Sequence, residues 1–113
     1  MTLGEKQRLF ASLVPDLINH ALELGYEVTL GDAYRDPRVF GKVGVKKGYG
    51  KSFSLHKERL AIDLNLFWEG KYLTKTDDHL ELGEYWEGLN PLCAWGGRFN
   101  DGNHYSLEHD GRH

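Results

Sequence analysis

Apolar positions recur along the first segment at Leu9, Phe10, Leu13, Leu17, Ile18, Ala21 and Leu24. That spacing predicts one helix over about residues 3 to 24 with a single buried stripe. Thr2 followed by Glu5 has the form of a capping box, and Gly25 suits the helix C-terminus. Pro15 interrupts the pattern, so a kink or a break into two short helices is expected there. "YEVTLGDAYR" alternates and is rich in β-formers, which predicts a strand. Residues 36 to 52, "DPRVFGKVGVKKGYGKS", hold four glycines and a proline and read as a long loop. "LAIDLNLFWEGKYL" predicts a hairpin turning at Glu69-Gly70. "DDHLELGEYWEGLN" predicts a short helix with Leu80, Tyr85, Trp86 and Leu89 facing inward. "CAWGGRF" and "HYSLEH" form a candidate last pair of strands around "NDGN", a strong turn signal. The order helix, strand, loop, hairpin, helix, hairpin predicts a small α+β domain over residues 1–113, with a mostly antiparallel sheet and flanking helices.

Composition narrows the function classes. The chain has 113 residues, 40% of them hydrophobic, and a formal net charge of −3. A mild negative charge gives no basic face for nucleic acid or an anionic membrane. No run approaches a membrane span, and the N-terminus lacks the apolar core of a signal peptide. The expected product is therefore made in the cytoplasm, with no membrane insertion and no nucleic-acid partner. A monomer is expected. One cysteine, Cys93, cannot form a disulfide framework or a zinc finger, and it reads as a small buried hydrophobe.

The polar positions that break the pattern carry the chemistry. Asp63 lies inside an apolar strand, between Ile62 and Leu64, where a carboxylate is costly unless paired or bound to a cation. A salt bridge to Arg35 or Arg59 would explain it taken alone. His56 alone is equally consistent with a hydrogen-bonded core histidine. With His104 these residues make two imidazoles and one carboxylate, the ligand number of a catalytic zinc. Asp101, three residues before His104, is a candidate general base for water activation. His56 and Asp63 are seven apart and would face opposite sides of one straight strand, so His56 must precede the strand for both to converge. Glu108 is the rival base. His79 at the start of a helix is expected to be solvent-exposed. His20, on the first helix, and His109 and His113, in the tail, carry little functional weight. Trp68, Trp86 and Trp95 read as core or groove walls.

The pattern Ser54-x-His56, Ala61-x-Asp63, Trp95-Gly96-Gly97 and Asp101-x-x-His104 resembles the zinc peptidases of the D-alanyl-D-alanine carboxypeptidase and L-alanyl-D-glutamate peptidase family, in particular phage endolysins and related cell-wall hydrolases. The likeness runs from about Tyr34 to Tyr105. It implies a hedgehog/DD-peptidase-like fold and one Zn²⁺ held by His56, Asp63 and His104. It also implies Asp101 as general base, and Arg35 in its "YR" context as the group that steadies the developing oxyanion. Ser54, Trp95 and Tyr105, which flank the motifs, are the expected substrate contacts. The sequence departs from the family at Arg59, where a glycine is frequent, and at "YRDPRVF". No additional wall-binding domain is expected. The implied activity is hydrolysis of an amide bond in the peptidoglycan stem peptide, most simply by an L-alanyl-D-glutamate endopeptidase acting on the wall after release. The alternatives are a D-alanyl-D-alanine carboxypeptidase, an inactive zinc-containing wall-binding module, and a single-metal nuclease built on the "DGNH" loop.

Overall fold

Thr2 and Glu5 cap each other's backbone at the start of α1, Leu3–Glu23, as the sequence predicts. In this computed structural model, which describes residues 1–46 and 54–113, α1 runs through Pro15 without a break. The expected interruption does not occur. Pro15 removes one backbone bond, but Phe10, Leu17 and Ala21 are buried on either side of it, and their packing holds the helix together across the gap. Gly25 follows with φ +98°, the left-handed conformation that ends a helix at low steric cost.

Four strands lie in the order β1 (Glu27–Leu30), β2 (Ala61–Trp68), β5 (His104–Leu107), β4 (Cys93–Trp95), and the short β3 (Lys71–Tyr72) pairs with β2. Every pairing is antiparallel, so the architecture is α+β as the patterning predicts. The β2–β3 turn falls at Glu69 and Gly70, both with positive φ, the geometry of a type I′ turn. The predicted strand "YEVTLGDAYR" contributes only its first half. Within the predicted loop, Pro37–Phe40 forms a one-turn helix, α2, capped by the Asp36 side chain on the Arg38 N–H. Residues 47 to 52 of the predicted loop lie outside the described residues.

The core lies on one face of the sheet. Leu64 and Leu66 of β2 point into it, with Leu17 and Ala21 of α1 and Leu82 and Trp86 of α3 (Leu80–Leu89). Trp86 stands edge-on to Phe10 at 5.8 Å and to Tyr105 at 6.3 Å. Its Nε1–H also reaches the carbonyls of Ala94 and Ser106, tying α3 to β4 and β5. The inward face of α3 is set by Leu82, Gly83 and Trp86 rather than by Leu80, which is exposed. Gly83 lets the helix touch the sheet, because a Cβ there would stand 2.1 Å from the Trp95 ring.

Candidate metal centre

The opposite face of β2 carries Asp63. Its Cα partner across the ladder is His104 of β5. The Asp63 N–H turns away to the Asp32 carbonyl, while the next residue, Leu64, donates to Asn103 on the β5 side. Asp63 and His104 therefore form the closer, non-hydrogen-bonded kind of antiparallel pair, which brings their side chains together. His56 arrives from the 3-10 turn Leu55–Glu58 just ahead of β2, the placement that the seven-residue spacing demands. Donor atoms of His56, Asp63 and His104 all lie within 4.8 Å of one another.

His56 is 2% exposed. Its Nδ1 lies 2.8 Å from the Ala33 carbonyl, which can only accept, so Nδ1 carries the proton. A neutral His56 then turns the lone pair of Nε2 toward Asp63 Oδ1, 3.3 Å away. Nδ1 of His104 approaches the same oxygen at 3.5 Å. Two ring nitrogens around one carboxylate oxygen need a shared cation, a proton or a metal ion, to relieve that repulsion. The backbone bond on the far nitrogen of His56 is the arrangement that fixes tautomer and ring orientation in metal-ligating histidines. The set of two imidazoles and one carboxylate fits zinc in number and type, with Nε2 of His56, a carboxylate oxygen of Asp63 and Nδ1 of His104 as the donors. Where the shared cation is a proton on each ring, burial alone would raise the Asp63 carboxyl, but hydrogen bonds from His104 and His56 and their charges outweigh it and hold it below the usual carboxylate range. Among the described residues neither Arg35 nor Arg59 is its ion partner, so the salt-bridge reading of Asp63 does not hold.

The Asp101-x-x-His104 spacing is that of a turn. The Asp101 carbonyl accepts from the His104 N–H at 3.2 Å, and the Asp101 N–H donates to Gly96 O at 2.9 Å. The two glycines of "WGG" are required by contact. A Cβ on Gly96 would stand 2.3 Å from Asp101 O and 2.7 Å from the Cβ of His104, and one on Gly97 would enter the Trp95 ring. Asp101 is exposed and stands outside the three-donor group. Its rival Glu108 is engaged elsewhere, accepting from the Gly111 N–H at 2.7 Å.

Arg35 donates from Nη1 to Ser54 Oγ at 3.0 Å and lies 3.4 Å from Asp32 through Nε. Its backbone N–H donates to the His56 carbonyl, so the arginine and the ligand-bearing turn are tied together. Ser54 also accepts from the His56 N–H, capping that turn. Ser54 is thus a buried support for His56 and Arg35. The other two expected substrate contacts lie inside the fold. Trp95 is 3% exposed, with its Nε1–H on Gly102 O at 2.7 Å, and Tyr105 is fully buried. Both point to the core side of their strands, away from His104, and they shape the site from behind.

His79 was expected at the surface, yet it is 3% exposed and pairs through Nδ1 with the Tyr105 hydroxyl at 2.8 Å. It lines a cleft with Asp101, and only the fold reveals this, because a lone histidine before a helix carries no signal of what packs on it. Arg59 has φ +58°, the left-handed region that glycine occupies without strain, and its guanidinium lies 4.0 Å over the Tyr34 ring. The departure at Arg59 is thus a glycine-type backbone position filled by arginine. In the tail, Lys6 Nζ reaches His109 Nδ1 at 3.2 Å, and the His113 ring lies against Phe99. His20 stacks on Tyr85. These histidines hold elements together away from the site. No family model matches the sequence, and no curated protein matches it. Among the described residues no helix is long and apolar enough to cross a membrane.

Proposed function

We propose that this protein is a zinc-dependent peptidase that hydrolyses an amide bond in the stem peptide of peptidoglycan. The observation that carries the reading is the convergence of His56, Asp63 and His104, with the far nitrogen of His56 committed to Ala33 O. A zinc ion held there would supply Lewis-acid activation of water and of the scissile carbonyl. Asp101 takes the proton from the attacking water and passes it to the leaving amine, a role open to an exposed carboxylate outside the ligand set. The Arg35 guanidinium, preset by Ser54 and Asp32, stabilises the charge that develops on the carbonyl oxygen. On the Asp63 face toward β1, among the described residues, Thr29 is exposed and Asn65 only partly buried, which leaves room for substrate on that side.

The reading extends to the bond. In the family that the motifs resemble, enzymes removing terminal D-alanine tend to carry glutamate where Asp101 stands, and endopeptidases cutting between L-alanine and D-glutamate tend to carry aspartate. L-alanyl-D-glutamate cleavage is therefore the proposed reaction. Mass spectrometry of muropeptides digested by the zinc-loaded protein tests it. The expected products are stem peptides with a free D-glutamate amine, with L-alanine left on the sugar. Release of free D-alanine alone would replace the endopeptidase by a carboxypeptidase. Intact muropeptides would sink the peptidase reading.

A further inference from the structure

Beside Asp101 lies a cleft of about 200 Å³ between the turn Thr76–His79 and the Asn100–Asn103 loop. The two walls touch closely, since a Cβ on Gly102 would stand 2.6 Å from the Cα of Thr76. Its lining is polar and rich in donors: Lys75, Thr74, Thr76, Asn103 and His79, with Asp101 as the acidic residue. None of these donors belongs to the three-donor group.

His79 makes this a built site rather than a crease. The Tyr105 hydroxyl is buried, and His79 Nδ1 is its partner among the described residues. If Nδ1 carried the proton, the hydroxyl hydrogen would point into the core with no acceptor, at a cost of about 1–3 kcal/mol. With the hydroxyl donating to Nδ1 both groups are satisfied, and the proton sits on Nε2. Burial lowers the affinity of the ring for a second proton, against the pull of Asp78 and Asp101. His79 is thus a neutral N–H donor, held rigid from behind, in a cleft that also holds Lys75.

We infer that this cleft is the subsite for a carboxylate carried by the residue on the amine side of the scissile bond, with Lys75 as counter-charge and His79 Nε2–H as directional donor. The inference rests on the peptidase reading above. The direction follows from Asp101. The group that returns a proton to the leaving nitrogen must stand beside it, so the residue bearing that nitrogen enters the space that Asp101 borders. The ligand class follows from the lining, since a cluster of donors with one cation selects an anionic acceptor. D-glutamate has two carboxyl groups, and only one is used to continue the stem. The other is either free or converted to a carboxamide, which provides a direct comparison.

The test is steady-state kinetics on two purified muropeptides that differ only in that group, carboxylate or carboxamide. The wild-type protein is expected to show a KM about tenfold lower for the carboxylate, the effect of one charge-assisted hydrogen bond. Lys75→Met is expected to abolish that preference, and Lys75→Arg to retain most of it. Equal KM values in the wild type, or an undiminished preference in Lys75→Met, would overturn the subsite. Failure of the wild type to cut either substrate would instead overturn the peptidase reading, and the subsite with it. The ¹⁵N resonances of the His79 ring test its part without mutation. The expected state is a protonated Nε2 and a bare Nδ1, with Nε2 shifting when a peptide beginning with D-glutamate is added. A bare Nε2, or one blind to the peptide, would remove His79 from the site.

Discussion

The two faces of β2 are built from alternate residues of one strand, yet they follow opposite rules. On one side Leu64 and Leu66 are fully buried against α1 and α3. On the other, Asp63 and Asn65 are only partly buried, and the polar groups there are organised by hydrogen bonds and ion pairs. Apolar packing is non-directional and tolerant, so the first face needs only the right volume. The second needs particular atoms at particular distances, and the chain supplies them with backbone devices: the Ala33 carbonyl, the Asp101–His104 turn and the close approach at Gly96. The core face makes the sheet stable, and the polar face uses that rigidity.

Breaking the core face should produce the largest loss. Trp86→Ala removes a fully buried ring and the Nε1–H that donates to the Ala94 and Ser106 carbonyls, so unfolding free energy should fall by about 3–5 kcal/mol in denaturant titration. A loss under about 1 kcal/mol would mean that the sheet does not depend on α3. Breaking the polar face should spare the fold and remove turnover. Asp101→Asn should keep its melting temperature and its zinc while kcat drops by about two to four orders of magnitude, because the amide cannot accept the proton. Near-normal turnover would hand the role to another group. Arg35→Ala should lower kcat by a smaller factor. It also strips a bond from Ser54, so a modest fall in melting temperature should accompany it. Unchanged kinetics would remove Arg35 from the reaction.

His79 joins the two faces and gives the smallest effect. Its proton affinity is lowered from the ordinary value of 6.5 by burial, with Asp78 and Asp101 opposing. The unfolded chain therefore takes up a proton at higher pH than the folded one. Stability should fall as pH drops below about 6.5, toward the lower folded value. In His79→Gln the slope of unfolding free energy against pH over that window should be shallower. An identical slope would contradict the assignment. Asp63 does not contribute there, because its carboxyl is held below the usual carboxylate range.

The core face was largely legible in the sequence, and the polar face only in part. Period and capping residues placed α1, period placed α3, and Glu69-Gly70 placed the hairpin, because local preferences decide those features. Pro15 misled, because tertiary burial around it outweighs one missing bond. The candidate ligands His56, Asp63 and His104 could be nominated from residue type and the motifs they sit in, and the need for His56 to precede the strand followed from the alternation of side chains. That Asp63 would face His104 across the ladder could not be read, since register between strands 41 residues apart is a property of the folded sheet. Tyr105 and His79 lie deeper than the sequence places them, and Trp95 fits its reading as a core residue rather than as a substrate contact, all for one reason. Their neighbours come from distant segments, and aromatic or imidazole side chains suit interior and surface equally.

Zinc content after dialysis tests the central claim most directly. The wild-type chain, loaded with zinc and dialysed against metal-free buffer, is expected to retain one zinc per chain by elemental analysis, and folded His104→Ala to retain almost none. A wild type without zinc, or a His104→Ala variant that keeps its full complement, would contradict the account.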